Sequence, residues 1–282
     1  MMRKIPSEII QQALYKAISE ISYHCDPKVT SALEQALNRE TSELARDALN
    51  SILANHRISP ETNIPLCQDT GSTVVFAELG AELQIVGQTL PELINSAVRQ
   101  AQKDCPLRAS TVAEPLFERN NMGDNTPAII HVEFVEGDQV RLQIAQKGGG
   151  AENMSFMKML SPSVGVKGII DFVCENVLAA GSRPCPPLIL GIGIGSNFEG
   201  APLLAKKALF ESLGRPHPDA RYRQMETEIT QRINALGCGV QGFGGDCTVL
   251  ATHILQAPCH IASLPVAVNI ECHAHRHLEV II

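Results

Sequence analysis

The chain has 282 residues, of which 44% are hydrophobic, 19% charged and 4% aromatic, with no Trp. This is the composition of a globular protein with an aliphatic core, and a formal net charge of −7 argues against a nucleic-acid partner, whose phosphates require a basic surface. No stretch approaches the ~18 apolar residues of a membrane span, and MMRKIPSEIIQQAL lacks the apolar core and cleavage site of a signal peptide, so a cytoplasmic protein is expected.

Taken in chain order, residues 7–24 place Ile10, Leu14, Ala17, Ile18 and Ile21 on one stripe, with Ser7 as N-cap. Helices over 28–38 and 42–56 follow the same rule, the second through Leu44, Ala48, Leu49, Ile52 and Leu53, with His56 and Pro60 ending it. A loop, NIPLCQDTG, leads into the strand-like TVVFAELG. Thr89 and Glu92 form a capping box with Pro91 in the first turn, predicting a helix over 90–104. Residues 105–127 are irregular and rich in turn formers, the length of a functional loop and the place for a division into two lobes. Ala128–Val135 and Gln139–Ala145 alternate around Glu136-Gly137-Asp138 and read as a hairpin.

Beyond them lie a helix over 166–180 closed by Gly181, a buried strand at Pro187–Ile194, and helices over 199–213 and 220–236 ended by Gly214 and Gly237. Strands at Thr248–Ile254 and Leu264–Ile270 precede ECHAHRH. The expected fold is α+β: a helical N-terminal portion packed on a mixed sheet core, with the long loops at its edges.

Nine Cys are an odd number for disulfides, and a chain of this length has no need of them. Cys67, Cys185 and Cys272 stand in turn-rich surroundings, in PLCQDTG, RPCPP and ECHAHRH, too far apart for a zinc ribbon. Three such thiols suit a [4Fe–4S] cluster with one iron left open, and they equally suit three unrelated buried thiols. Asp69 reads either as an Asx-turn residue or as a proton carrier. Arg108 offers a planar fork for a carboxylate, or is a solvated surface Arg. Gly148, Gly149 and Gly150 follow a strand and allow backbone N–H groups to turn toward an anion. His253 lies in a strand as a structural or a ligand-contacting histidine. Within ECHAHRH, an extended backbone would keep His273 and His275 off the face of Cys272, and at least some of His273, His275, Arg276 and His277 are expected at a surface or interface. GIGIGS at 191–196 approaches a dinucleotide fingerprint, the mark of a nicotinamide-dependent dehydrogenase, but has Ser196 at the third glycine position and no evident βαβ unit.

PLCQDTG, PLR at 106–108, GDNTPA, KGGGAENMS, RPCPP and VNIECHAHRH occur in that order. Together they resemble the iron–sulfur hydro-lyases: the N-terminal half of class I fumarases and the alpha subunits of two-chain fumarases and L-tartrate dehydratases. The resemblance implies that Cys67, Cys185 and Cys272 ligate a [4Fe–4S] cluster with one substrate-accessible iron, which makes their loops, at the edges of the mixed sheet core, the cluster-binding loops. It implies a catalytic role for Asp69 and substrate contacts from Gln68, Arg108, Gly148, Gly149, Gly150 and His253. It further implies reversible dehydration of a small 2-hydroxy dicarboxylate, malate/fumarate first and L-tartrate as the alternative, with the C–H base in a C-terminal half or a beta subunit, and a separate beta subunit and/or a homo-oligomer as partner. A cluster-carrying subunit without activity of its own is a further alternative.

Overall fold

The computed structural model describes residues 2–282. In chain order its elements are β1 (Arg3–Pro6), α1 (Ser7–Tyr23), α2 (Pro27–Arg39), α3 (Glu43–Thr62), β2 (Ser72–Gly80), β3 (Leu83–Val86), α4 (Leu90–Asp104), β4 (Ile129–Val135) and β5 (Val140–Lys147). They continue as α5 (Gly149–Glu152), β6 (Phe156–Leu160), α6 (Gly165–Ala180), β7 (Leu188–Ser196), α7 (Gly200–Ala208), α8 (Ala220–Ala235), β8 (Val249–Cys259), β9 (Leu264–Glu271) and β10 (His277–Ile281). The chain forms two compact units. One holds residues 2–26, 56–149 and 276–282, the other residues 27–55 and 150–275. The irregular stretch 105–127 therefore lies wholly inside the first unit.

In the first unit the strands run in the order β10-β5-β2-β4. α1 and α4 bury their stripes on this sheet, where Ile10, Leu14, Ile18, Leu93, Ile94 and Val98 meet Val75, Ala77, Leu142 and Ile144. Each such side chain contributes roughly 1.5–3 kcal/mol by leaving water. The α4 start is capped as its sequence predicts: the Glu92 carboxylate accepts the Thr89 N–H at 3.0 Å and the Thr89 hydroxyl at 2.7 Å. β10 pairs with β5, so Val280 and Ile282 at the apolar end of the chain pack into this core.

The expected hairpin does not form. β2 lies between β4 and β5, parallel to the first and antiparallel to the second. Alternation and a Gly-containing turn say that the chain reverses, not that the flanking strands touch. β2 is buried through most of its length and takes an interior position beside β5. The 136–139 connection crosses its end, with Gly80 N–H donating to the Gln139 carbonyl at 2.9 Å. A Cβ on Gly80 would stand 2.4 Å from the Gly137 carbonyl oxygen, so no side chain fits there.

In the second unit the order is β6-β9-β7-β8, with β7 antiparallel to β9 and parallel to β8. α6 and α8 pack on one face against Leu188, Leu190, Ile192 and Ile194. The other face of β7 carries Gly191 and Gly193. A Cβ on either would lie 2.1 Å from a carbonyl oxygen of α7, at Ala205 and Ala201 respectively. GIGIG is therefore mid-strand, and its glycines admit a helix at close range instead of turning around a phosphate. The Gly-rich segment before β8 is held by Glu40, whose buried carboxylate accepts N–H groups from Thr41, Ser42 and Asp246.

Local details depart from the sequence reading. Ser7 is inside α1 rather than its cap, and its hydroxyl accepts the Gln88 N–H. α3 runs through Pro60 to Thr62, although Pro60 has no N–H to give the carbonyl four residues back. Its buried stripe is Ala45, Leu49 and Ile52, leaving Leu44 exposed. α7 stops at Ala208, short of Gly214. Residues after Cys272 form a turn, with His275 at φ 37° and its N–H on the Cys272 carbonyl. The strand-like alternation expected of ECHAHRH fails there, and His275 and Arg276 are buried.

Candidate active site

In the first unit, the loop after α3 is pinned by Leu66, whose N–H bonds to the Ser22 carbonyl at 2.9 Å and whose side chain is buried. Cys67 follows, half-buried, and its Sγ accepts the Asp69 N–H at 3.4 Å. Its thiol also reaches Gln68 Oε1 at 3.6 Å, while the rest of Gln68 is exposed. Asp69 bonds in two directions. Oδ1 accepts the Gly71 N–H at 3.0 Å, which is the Asx-turn, and Oδ2 accepts the Gly149 N–H at 2.7 Å. Two segments 80 residues apart in sequence are thus joined by one carboxylate. Gly71 has φ +70° and would place a Cβ 2.0 Å from the Lys147 carbonyl oxygen, so the loop lies directly on the end of β5.

Arg108 is exposed, but its backbone is fixed. Buried Asn125 donates from Nδ2 to the Arg108 carbonyl at 3.0 Å and to Gln102 Oε1, and accepts the Ser110 N–H at 2.6 Å. PLR and GDNTPA are therefore one structural feature. Asn125 was missed by the reading of the sequence; the only signal was an Asn flanked by Asp and Thr-Pro in a turn-rich run.

In the second unit, Cys185 lies in the turn before β7, exposed and at φ 58°. Cys272 follows β9 directly. Ile189 of β7 pairs with Glu271 of β9, so both cysteines leave the same end of that strand pair. Gln241, also unforeseen, clamps the Cys185 turn: its N–H and Nε2 both donate to the Pro186 carbonyl, at 2.9 and 2.7 Å. Gly150 lies in α5, and a Cβ there would approach the Arg183 carbonyl oxygen at 3.3 Å. His253 is in mid-β8 opposite Gly191. It lines a cavity of about 250 Å³ with His217, Glu226 and Gln256. Its Nε2 is buried without a hydrogen-bond partner, and burial pushes the imidazole down to about 4, so it is neutral at pH 7. Burial also raises Glu226, whose carboxylate accepts the N–H groups of Ile254 and His217.

None of the nine cysteines is in a disulfide. Among the described residues, no three His, Cys, Asp or Glu side chains are grouped to share one metal ion. A cubane does not require that, because each thiolate binds a different iron. The donor set fits such a cluster chemically: three loop-borne thiols, with Cys67 Sγ already accepting a backbone N–H of the kind that stabilises a ligand thiolate.

A profile of the fumarate hydratase (Fumerase) family matches residues 11–281. The chain belongs to this family. Among relatives of this fumarate hydratase family member, a Methanocaldococcus jannaschii protein provisionally described as an L(+)-tartrate dehydratase subunit alpha is 41% identical over 273 residues, or 95% of each chain. The L(+)-tartrate dehydratase subunit alpha of Escherichia coli K12 is 31% identical over 260 residues, covering 91% of this chain and 85% of that one. The corresponding protein of Escherichia coli O157:H7 is 32% identical over the same length. No helix among the described residues is long and apolar enough to cross a membrane.

Proposed function

We propose that this chain is the alpha subunit of an iron–sulfur hydro-lyase of the cytoplasm, which removes water reversibly from a small 2-hydroxy dicarboxylate. The observation that carries the reading is the family match over nearly the whole chain, joined to the Asp69–Gly149 hydrogen bond that links two of its motifs. Cys67, Cys185 and Cys272 hold a [4Fe–4S] cluster. When bound, the cluster supplies a Lewis-acidic iron, with no thiolate of its own, for the substrate hydroxyl.

The chain's own residues bind, orient and move a proton. Arg108 takes a substrate carboxylate through its planar fork, on a backbone fixed by Asn125. Gln68 offers its amide beside Cys67. Gly148, Gly149 and Gly150 leave room for substrate to approach the backbone, although the Gly149 N–H is engaged by Asp69. Each Asp69 oxygen accepts one N–H and keeps a second lone pair, where it exchanges a proton with the departing hydroxyl. His253, neutral and half a strand away from the cysteine turns, is the least supported of the substrate contacts. The base for the C–H proton comes from a beta subunit.

The family description favours malate/fumarate, whereas the named relatives favour L-tartrate. The test is anaerobic reconstitution of the chain with its beta subunit, assayed on both substrates. Turnover of either supports the reading and names the substrate. An intact cluster without dehydration of either acid refutes it. Ser at Cys67, Cys185 or Cys272 should each abolish the visible absorbance of the cluster, and full absorbance in any of the three would remove that residue from the ligand set.

A further inference from the structure

Arg276 is 3% exposed. Its backbone is fixed between the Cys272–His275 turn and β10: its carbonyl accepts the Gln146 N–H at 3.0 Å, one residue before the His277–Ala145 pair. Among the described residues its guanidinium makes neither a hydrogen bond nor an ion pair. A guanidinium carries five N–H donors and a fixed positive charge. None of its nitrogens is among the fully buried polar atoms that lack a partner, so the head group reaches open space.

The direction in which it points is defined by Gly148. A Cβ built on Gly148 would lie 3.6 Å from Arg276 Nη2 and 3.4 Å from Asp69 Oδ2. Opposite charges thus face one small space from two sides without closing into an ion pair, at a position where Gly148 has no side chain. An Ala would fit at ordinary contact distance, so the glycine is not required for folding on steric grounds.

We infer that Arg276 binds a carboxylate of the substrate in the space left by Gly148, opposite Asp69. The inference rests on the hydro-lyase reading for the identity of the ligand, but not for the site, which takes an oxyanion. Arg276 would hold the carboxylate while Asp69, across the same space, faces the neighbouring hydroxyl. This adds a buried cation to the exposed Arg108, and so answers how a chain of net charge −7 attracts a dianion.

The test uses the complex of the full chain with its beta subunit. Steady-state kinetics and thermal stabilisation by malate, L-tartrate, phosphate and sulfate are measured for the parent, Arg276→Gln, Arg276→Lys and Gly148→Ala. The expected result is a KM raised about 100-fold in Arg276→Gln with a smaller fall in kcat, partial rescue in Arg276→Lys, and loss of dicarboxylate stabilisation in Gly148→Ala at unchanged unliganded Tm. If Arg276→Gln fails to fold, the Lys and Gly148→Ala arms decide. Parent-like KM and stabilisation in the folded variants overturn the inference and leave the hydro-lyase reading standing. Stabilisation by phosphate or sulfate alone, abolished in Arg276→Gln, keeps the anion site and overturns the substrate. No response of the parent to any of the four anions overturns both.

Discussion

Asp69 shows how one side chain can be both structural and chemical. Its two oxygens hold the turn at Gly71 and the Gly149 backbone, and the proposed proton transfer uses the lone pairs left over. Asp69→Asn retains one acceptor but presents an NH₂ to the other N–H. We expect kcat to fall by about 10²-fold while the circular dichroism spectrum stays native and the cluster assembles; near-parent kcat would leave Asp69 as a turn residue only. His253 titrates with the opposite consequence from a surface histidine. Its folded value of about 4 lies below the ~6.5 of an unfolded chain, so between those two pH values the unfolded state binds the extra proton. His253 therefore costs stability progressively as pH falls from about 6.5 to 4, by up to roughly 3 kcal/mol. Urea denaturation at pH 5 and 7.5 should show a smaller loss for His253→Gln than for the parent, and an equal loss would mean that this imidazole is protonated in the folded protein.

Elements are positioned here by close approach as much as by hydrophobic burial. β7 meets α7 through Gly191 and Gly193, with carbonyl oxygens of the helix where their Cβ atoms would be. Gly193→Ala must push α7 away from the sheet. The expected cost is about 3 kcal/mol or more, read as a lowered Tm, with β7 and the Cys185 turn at its start displaced together. A Tm equal to the parent's would show that α7 moves without penalty. β10 acts in the same way on the first unit. It carries Val280 into the core and fixes the register of Arg276 against β5. Removing residues 277–282 should lower Tm and weaken anion binding in parallel, whereas loss of stability with intact binding would separate the strand from the site.

At the scale of the molecule, the chain weaves between its two units: the stretches 27–55 and 150–275 form one, and the rest forms the other. Neither unit is a continuous segment, so neither can be excised by a single cut. Val280 and Ile282 pack against their own unit, and the case for a partner rests instead on relatives named as alpha subunits. Hydro-lyase turnover should appear when the beta subunit is added to the reconstituted chain and should be absent before. Comparable turnover by the chain alone would place the base within these 282 residues.

Helical stripes such as Ile10–Leu14–Ile18, the Thr89–Glu92 cap and the buried β7 could be read from the sequence, because periodicity and capping are local properties of the chain. The motif order carried the family in the same way, since each of PLCQDTG, KGGGAENMS and VNIECHAHRH is a contiguous string. Strand partnership was not legible. β4 and β5 alternate as a hairpin would, yet β2 separates them, because a largely buried strand takes an interior place in a sheet and that pairing involves residues more than 50 positions away. The site was legible to the same extent. Asp69 and Gly149 could each be named, but their hydrogen bond could not. Arg276 follows Cys272 in a run expected to be extended, with at least some of its residues at a surface or interface; the turn after Cys272 and the pairing of β10 with β5 instead accompany a guanidinium placed beside Gly148. Local sequence determined which residues could act; the long-range pairing of strands, fixed by burial, decided which of them face one another.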